Sequence, residues 1–293
     1  MDDEGSFESA TKSALNATSY TLRDWLSRMK EGNYDRYRKL LVNEGRIALW
    51  HMCSRVGVNV NGVPGQACRL IETYFSEQLR IFFKSQRGSS EWLPFKQSLL
   101  THLPLTMMSC VQLASKMNGA PFRITAGMAR IYLACKGFQF TLSEIIKSEL
   151  EVFFALNWCI PILTNVEIGH LLATEVGMPK EMLPGVSIIV DSAEFRLNAV
   201  HRRMLRTVND LPIDERKDYL GTLSALHLVA GCVIATALFL RFKGVDPAPR
   251  LADLTNANIP FLRCISNIIY SLTVLENRNV SSDFLTRKRK WPY

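Results

Sequence analysis

The sequence predicts an all-α protein, and three observations carry that prediction. Apolar residues recur at intervals of three and four, as at Leu142, Ile145, Ile146, Val152, Phe153 and Leu156, which is the period of one helix face. Thr141-x-x-Glu144 and Thr164-x-x-Glu167 are capping boxes, in which the Thr hydroxyl and the Glu carboxylate each satisfy a free backbone N–H of the other's residue. Period-two alternation, the mark of a half-buried strand, is hard to find. With 293 residues, 47% of them hydrophobic, the chain can build two ordinary domains, each with a substantial core.

Taken in order, residues 1–34 form an N-terminal extension with a short helix over 20–31, stopped at Asn33. Helices follow at 36–56, 65–84, 96–117, 125–135 and 141–157. Gln86 to Ser90 is a polar loop between the second and third of these, and Asn118-Gly119 is a helix stop directly after Lys116-Met117. Pro161 cannot continue the helix begun at Thr141, so Cys159 to Leu163 is a linker and a domain boundary falls near residue 164. Beyond it, helices are expected at 165–175, 184–208, 215–243, with a break near Gly221, and 259–276. The apolar run Leu226 to Leu240 contains His227 and is shorter than the roughly 20 residues a bilayer span needs, so it reads as the central helix of a globular core. Residues 278–293 read as a basic, flexible tail.

Composition narrows the function. The seven cysteines form no Cys-x-x-Cys pair and lie mostly in apolar runs, which predicts buried thiols of a reducing compartment rather than zinc ligands or disulfides. The acidic, polar stretch Met1 to Glu8 lacks a basic-then-apolar signal segment, which argues against secretion. No phosphate-binding Gly-rich loop, Gly-x-Ser-x-Gly elbow or His-Glu-x-x-His helix occurs, and the five histidines are scattered, so no enzyme, cofactor or metal is expected. The net charge of +8 is concentrated in part at Arg287, Lys288, Arg289 and Lys290, a nuclear-import candidate that also reads as a phosphate-contacting or merely solvated end. His201, Arg202, Arg203 and Arg206 share a helix and Arg241 and Lys243 end another, a basic patch to which direct DNA binding is a secondary reading.

Glu149 gives the sharpest signal. It falls within the apolar stripe of its helix, where a carboxylate is costly unless paired. Lys116, in the last turn of the third helix, is stabilised by the helix dipole with or without a partner, so an ordinary structural ion pair is the plain alternative to a functional role.

The stretch Ser109-Cys110-Val111-Gln112-Leu113-Ala114-Ser115-Lys116, with Glu149 to Pro161 downstream, resembles the heart of a cyclin box. That resemblance implies tandem cyclin-like five-helix domains, a clear first box over 35–163 and a diverged second over 164–277, opened by Thr164. It also implies that Lys116 and Glu149 grip the backbone of a cyclin-dependent kinase's regulatory helix, with Leu113, Met117, Phe153, Trp158 and Ile160 supplying apolar contacts. The phrases Met108 to Lys116 and Ser148 to Pro161 look most like the cyclin N-terminal-domain-containing proteins of meiotic crossover formation. Such a protein would be a non-catalytic regulator in the nucleus, on meiotic chromosomes, docking the kinase and meiotic recombination factors. A kinase-independent scaffold, an ordinary cell-cycle or transcriptional cyclin, and a DNA-clasping factor are the alternatives. Two departures bear on this reading. Met117-Asn118-Gly119 follows Ala-Ser-Lys where ordinary cyclins continue with aromatic and acidic residues. The segment Gly45-Arg46-Ile47-Ala48-Leu49 resembles the family's substrate-docking patch at Arg46 and Leu49, but Gly45 stands where Met is expected and Met52 where Trp is, which argues against recruitment of Arg-x-Leu motifs.

Overall fold

Every regular element among the described residues of this computed structural model is helical; those residues are 40–85, 89–118, 123–158, 160–161, 163–210 and 223–275. In chain order the helices are α1 (Asn43–Arg55), α2 (Val63–Lys84), α3 (Ser89–Met117), α4 (Ala126–Cys135), α5 (Leu142–Ala155), α6 (Asn165–Glu175), α7 (Leu183–Phe195), α8 (Leu197–Asn209), α9 (Ala225–Phe239), α10 (Pro247–Thr255) and α11 (Ile259–Tyr270). A short 3-10 turn, Lys180–Met182, leads into α7, and α11 runs on as a π turn over Ser271–Leu275.

The starts of these helices follow local chemistry. Both capping boxes form, at Thr141 for α5 and Thr164 for α6. Thr125, Ser224, Asp246 and Asn258 cap α4, α9, α10 and α11 through their side-chain oxygens, each worth about 1 kcal/mol. Gly62 takes the left-handed conformation that turns the chain into α2, with Pro64 in the first turn where its missing N–H costs nothing.

Two hydrophobic cores result. The first draws on Leu41 to Ile160 and is organised around α3, whose Met108, Cys110, Val111 and Ala114 are fully buried between α2 and α5. The second runs from Val166 to Leu272 around α9, which buries twelve of its fifteen residues and packs on α6, α7, α10 and α11. A helix apolar on every side belongs at a core centre. Gly231 lets α11 cross closely, since a Cβ there would lie 2.4 Å from Ile265 Cγ2.

A buried charge cluster ties the two cores together. Arg46 of α1 pairs with Glu72 of α2 at 2.6 Å, and the guanidinium also donates to the Glu194 carbonyl of α7 at 3.3 Å. The Glu194 carboxylate accepts from Asn165 Nδ2 at 2.7 Å and faces Arg69 at 3.8 Å. Burial raises the Glu194 pKa, pushes Glu72 up to about 7 despite Arg46, and pushes Asp191 up to about 7 with Glu194 as a further cause.

The structure corrects several expectations. The helix expected at 36–56 begins at Asn43, because Leu41 donates its N–H to Glu72 Oε1 and its carbonyl accepts from Asn198 instead of joining a helix ladder. The third helix reaches back to Ser89, where a polar loop was expected; Trp92 and Phe95 pack on Phe82 with ring centroids 5.6 and 4.4 Å away, which holds the added turns in place. The helix expected at 184–208 breaks at Arg196, whose side chain donates to the Leu272 carbonyl at 2.6 Å. Helix α10 was not anticipated, because Pro247 and Pro249 look like loop residues, yet Pro fits the first helical turn and Asp246 caps it. Cys53, Cys68, Cys110 and Cys232 are buried as expected, and burial pushes the Cys53 thiol up to about 12. Cys135 is exposed and Cys264 half-buried, since both lie on the outer faces of their helices. Among the described residues no helix is long and apolar enough to cross a membrane. The expected helix at 20–31, the break near Gly221 and the Arg287–Lys290 run lie outside the described residues.

Candidate functional site

The end of α3 is held rigidly. Ala114 and Ser115 are fully buried, and Ser115 Oγ donates back to the Gln112 carbonyl at 2.8 Å. Asn118 closes the helix by donating its side-chain amide to the Ala114 carbonyl at 2.7 Å and to Gln66 Oε1 at 2.8 Å. Lys116, between these fixed neighbours, carries its side chain out of the first core.

Helix α5 lies alongside, close enough that Ser109 and Ser148 share a buried hydrogen bond at 2.9 Å. One residue on, Glu149 reaches Lys116 Nζ and the two form an ion pair. The Glu149 side chain is largely covered, at 13% exposed, while that of Lys116 is 41% exposed. The pair therefore sits at the edge of the core with its cationic half toward solvent, and the largely covered Glu149 needs a new donor whenever Lys116 turns away.

Beyond the pair α5 presents an uncovered apolar ridge. Ile145, Val152 and Leu156 enter the core, whereas Leu142, Ile146, Leu150, Phe154 and Trp158, each four residues after the last, are between 40% and 55% exposed. Rows at this spacing form the ridges by which helices pack on one another. Met117, which follows Lys116 at the end of α3, is 40% exposed.

The backbone after α5 is bent to keep Trp158 on this face. Asn157 and Trp158 both take left-handed conformations, with φ of 51° and 59°. That conformation costs a non-glycine residue roughly 1–2 kcal/mol. In return the N–H groups of Asn157 and Trp158 cap the Phe154 and Phe153 carbonyls, and the indole stands edge-on to both rings at centroid distances of 4.1 and 4.8 Å. Strain of this kind is found where the surroundings demand one side-chain placement.

Of the residues singled out from sequence, Lys116 pairs with Glu149, Phe153 and Trp158 pack on one another further along the same chain segment, with Phe153 half-buried against the core, and Met117 is exposed at the end of α3. Leu113 and Ile160 do not present surface: both are buried in the first core. Leu113 lies three residues before Lys116, on the side of α3 turned inward, and the left-handed pair directs Ile160 back under the first core. Sequence reasoning missed Leu150 and Phe154; the available signal was the four-residue spacing from Leu142 through Trp158. The segment that resembles a substrate-docking patch is closed. Arg46, Leu49 and Met52 are buried, and Trp50 packs edge-on against Phe195 at 5.5 Å. Among the described residues no group of three His, Cys, Asp or Glu is placed to hold a metal ion.

No protein-family model matches the chain. It is similar to the human Cyclin N-terminal domain-containing protein 1, at 30% identity over 134 residues, covering 43% of this chain and 41% of that protein. It is also similar to the mouse protein of the same name, at 24% identity over 197 residues, covering 61% of this chain and 59% of the relative. The chain thus matches about half the length of these curated relatives. Among solved structures it resembles a viral cyclin from herpesvirus saimiri, with a TM-score of 0.51 and 16% identity over 80% of this chain and 86% of that one. The chain has an all-α, cyclin-like fold.

Proposed function

We propose that this chain is a non-catalytic, cyclin-type regulator that docks a cyclin-dependent kinase on the face formed by Lys116, Glu149, Met117, Phe153, Trp158 and the α5 ridge. The observation that carries the reading is the ion pair of Lys116 and Glu149 at the rim of an uncovered apolar row. A helix laid along that row buries Ile146, Leu150 and Phe154, while Lys116 Nζ offers N–H donors to its carbonyls and Glu149 accepts from its backbone N–H groups. Aromatic anchors buried at the centre of such an interface contribute about 2 kcal/mol or more each. The resemblance of the Met108–Lys116 and Ser148–Pro161 phrases to proteins of meiotic crossover formation supplies the setting: the nucleus, on meiotic chromosomes, with recombination factors as further partners. Affinity capture of the full chain from meiotic cells, followed by mass spectrometry, tests this. A cyclin-dependent kinase retained by the wild-type chain and lost with Glu149→Lys supports docking; a kinase retained equally by both refutes it.

One observation favours a second reading, a kinase-independent scaffold for recombination or repair factors. The residues that resemble the substrate-docking patch are buried, so that route to substrates is closed. Capture of recombination factors without any kinase would select the scaffold.

A further inference from the structure

Helices α8 and α11 of the second core enclose a groove of about 530 Å³, distant in sequence from the α3–α5 face. Its described lining carries three arginines, Arg203, Arg206 and Arg263, and one carboxylate, Asp210, with Asp246 pairing Arg263 from just outside it. Arg203 is half-buried, and its Nη1 donates to Ser271 Oγ at 2.6 Å, which fixes its guanidinium in the wall. Arg263 comes from the opposite helix, and its guanidinium meets Asp246 at 2.7 Å in a pair that is about half-exposed on both sides. An ion pair so exposed is weak, so Arg263 can turn to a stronger anion at little cost. Arg206 stands exposed at the groove, one turn of α8 from Arg203. Pro260, Cys264 and Ile268 supply apolar wall between the charges.

We infer that this groove is a binding site for a phosphorylated serine or threonine on an extended peptide. Guanidinium groups match the oxygens of a phosphoryl group with paired N–H donors, and their positive charge complements a group carrying close to −2. The apolar wall suits the methylenes and neighbouring side chains of a peptide. A nucleic-acid backbone instead requires a basic track running well beyond one concavity, with aromatic platforms for its bases. Asp210 at the rim repels an anion there, which places the phosphoryl group toward Arg206 and Arg263.

The test uses the full chain in fluorescence anisotropy with three probes: a degenerate phosphoserine/phosphothreonine peptide pool, the same pool unphosphorylated, and a single-stranded DNA oligonucleotide. The phosphorylated pool is expected to bind at least about tenfold more tightly than the unphosphorylated one, and excess inorganic phosphate to compete. Arg206→Gln combined with Arg263→Gln should abolish that preference with an unchanged thermal melt. Because both side chains are exposed, folding is not at risk, and Arg203→Lys supplies a second variant that keeps the charge but loses the paired donors. The inference is overturned if the two pools bind equally, if the preference survives the double substitution, or if DNA binds more tightly than the phosphorylated pool and is lost with the same substitutions.

Discussion

Replacing Gly65 with alanine tests whether the buried charge cluster joins the two cores as described. A Cβ at Gly65 would lie 1.8 Å from Glu194 Oε2 and 2.4 Å from its carboxyl carbon, so the Glu194 side chain must move. It is 1% exposed and is held by Asn165 at 2.7 Å with Arg69 at 3.8 Å, and any displacement weakens a charged hydrogen bond in a site closed to water. Losing such a bond costs about 1.5–3 kcal/mol, and overpacking adds roughly 1–3 kcal/mol. Alanine's better helix propensity offsets about 1 kcal/mol. The net expectation is a destabilisation of roughly 2–4 kcal/mol by urea denaturation. Gly127→Ala is the matched control: there a Cβ would meet only Thr125 Oγ1 at 3.8 Å, so the same substitution should leave stability unchanged or raise it slightly. If Gly65→Ala proves as stable as Gly127→Ala, Glu194 is not seated against α2 and the account of the junction is wrong.

Other predictions follow from the same geometry. Asp191 is half-buried, one of its oxygens is enclosed without a hydrogen-bond partner, and its pKa is raised to about 7. A carboxyl raised on folding stabilises the protein below its unfolded pKa and loses that contribution as pH rises through the folded value, so stability should fall between roughly pH 4 and pH 7. Asp191→Asn should flatten that fall in denaturation curves taken across the range; an unchanged slope would show that other groups set it. Trp158→Gly relieves a left-handed strain while removing an exposed ring, so the melt should hold while kinase affinity drops roughly 30-fold. Equal affinity would remove Trp158 from the interface. Deleting residues 285–293 should abolish nuclear accumulation of the isolated chain if Arg287–Lys290 is the import signal, and persistence of nuclear staining would dismiss that role.

What could be read from sequence was what is encoded locally. The α5 and α6 starts were legible because Thr and Glu at a spacing of three satisfy the free N–H groups of one turn, and α9 because it is apolar on every side. Glu149 announced a partner because a carboxylate in an apolar stripe requires one, and Lys116 is that partner. Periodicity alone could not divide that stripe. Ile145 and Ile146 look equivalent in the sequence, yet one is fully buried and the other half-exposed, because only packing against α3 decides which flank is covered. The Arg46, Glu72 and Glu194 cluster was equally hidden, since Glu72 and Glu194 lie 26 and 148 residues from Arg46, and the local pattern around Arg46 pointed to a surface patch instead of a buried pair.

The most direct test of the docking face is a charge swap at its centre. Lys116→Glu combined with Glu149→Lys preserves an ion pair within the chain, so folding should survive, but reverses the groups offered to an incoming helix. The dissociation constant for the captured kinase, measured by calorimetry for the wild type, each single reversal and the swap, separates a docking pair from a structural one. The swap should keep a wild-type thermal melt and bind the kinase at least about tenfold more weakly; a swap that restores wild-type affinity would show that the pair only holds α3 to α5.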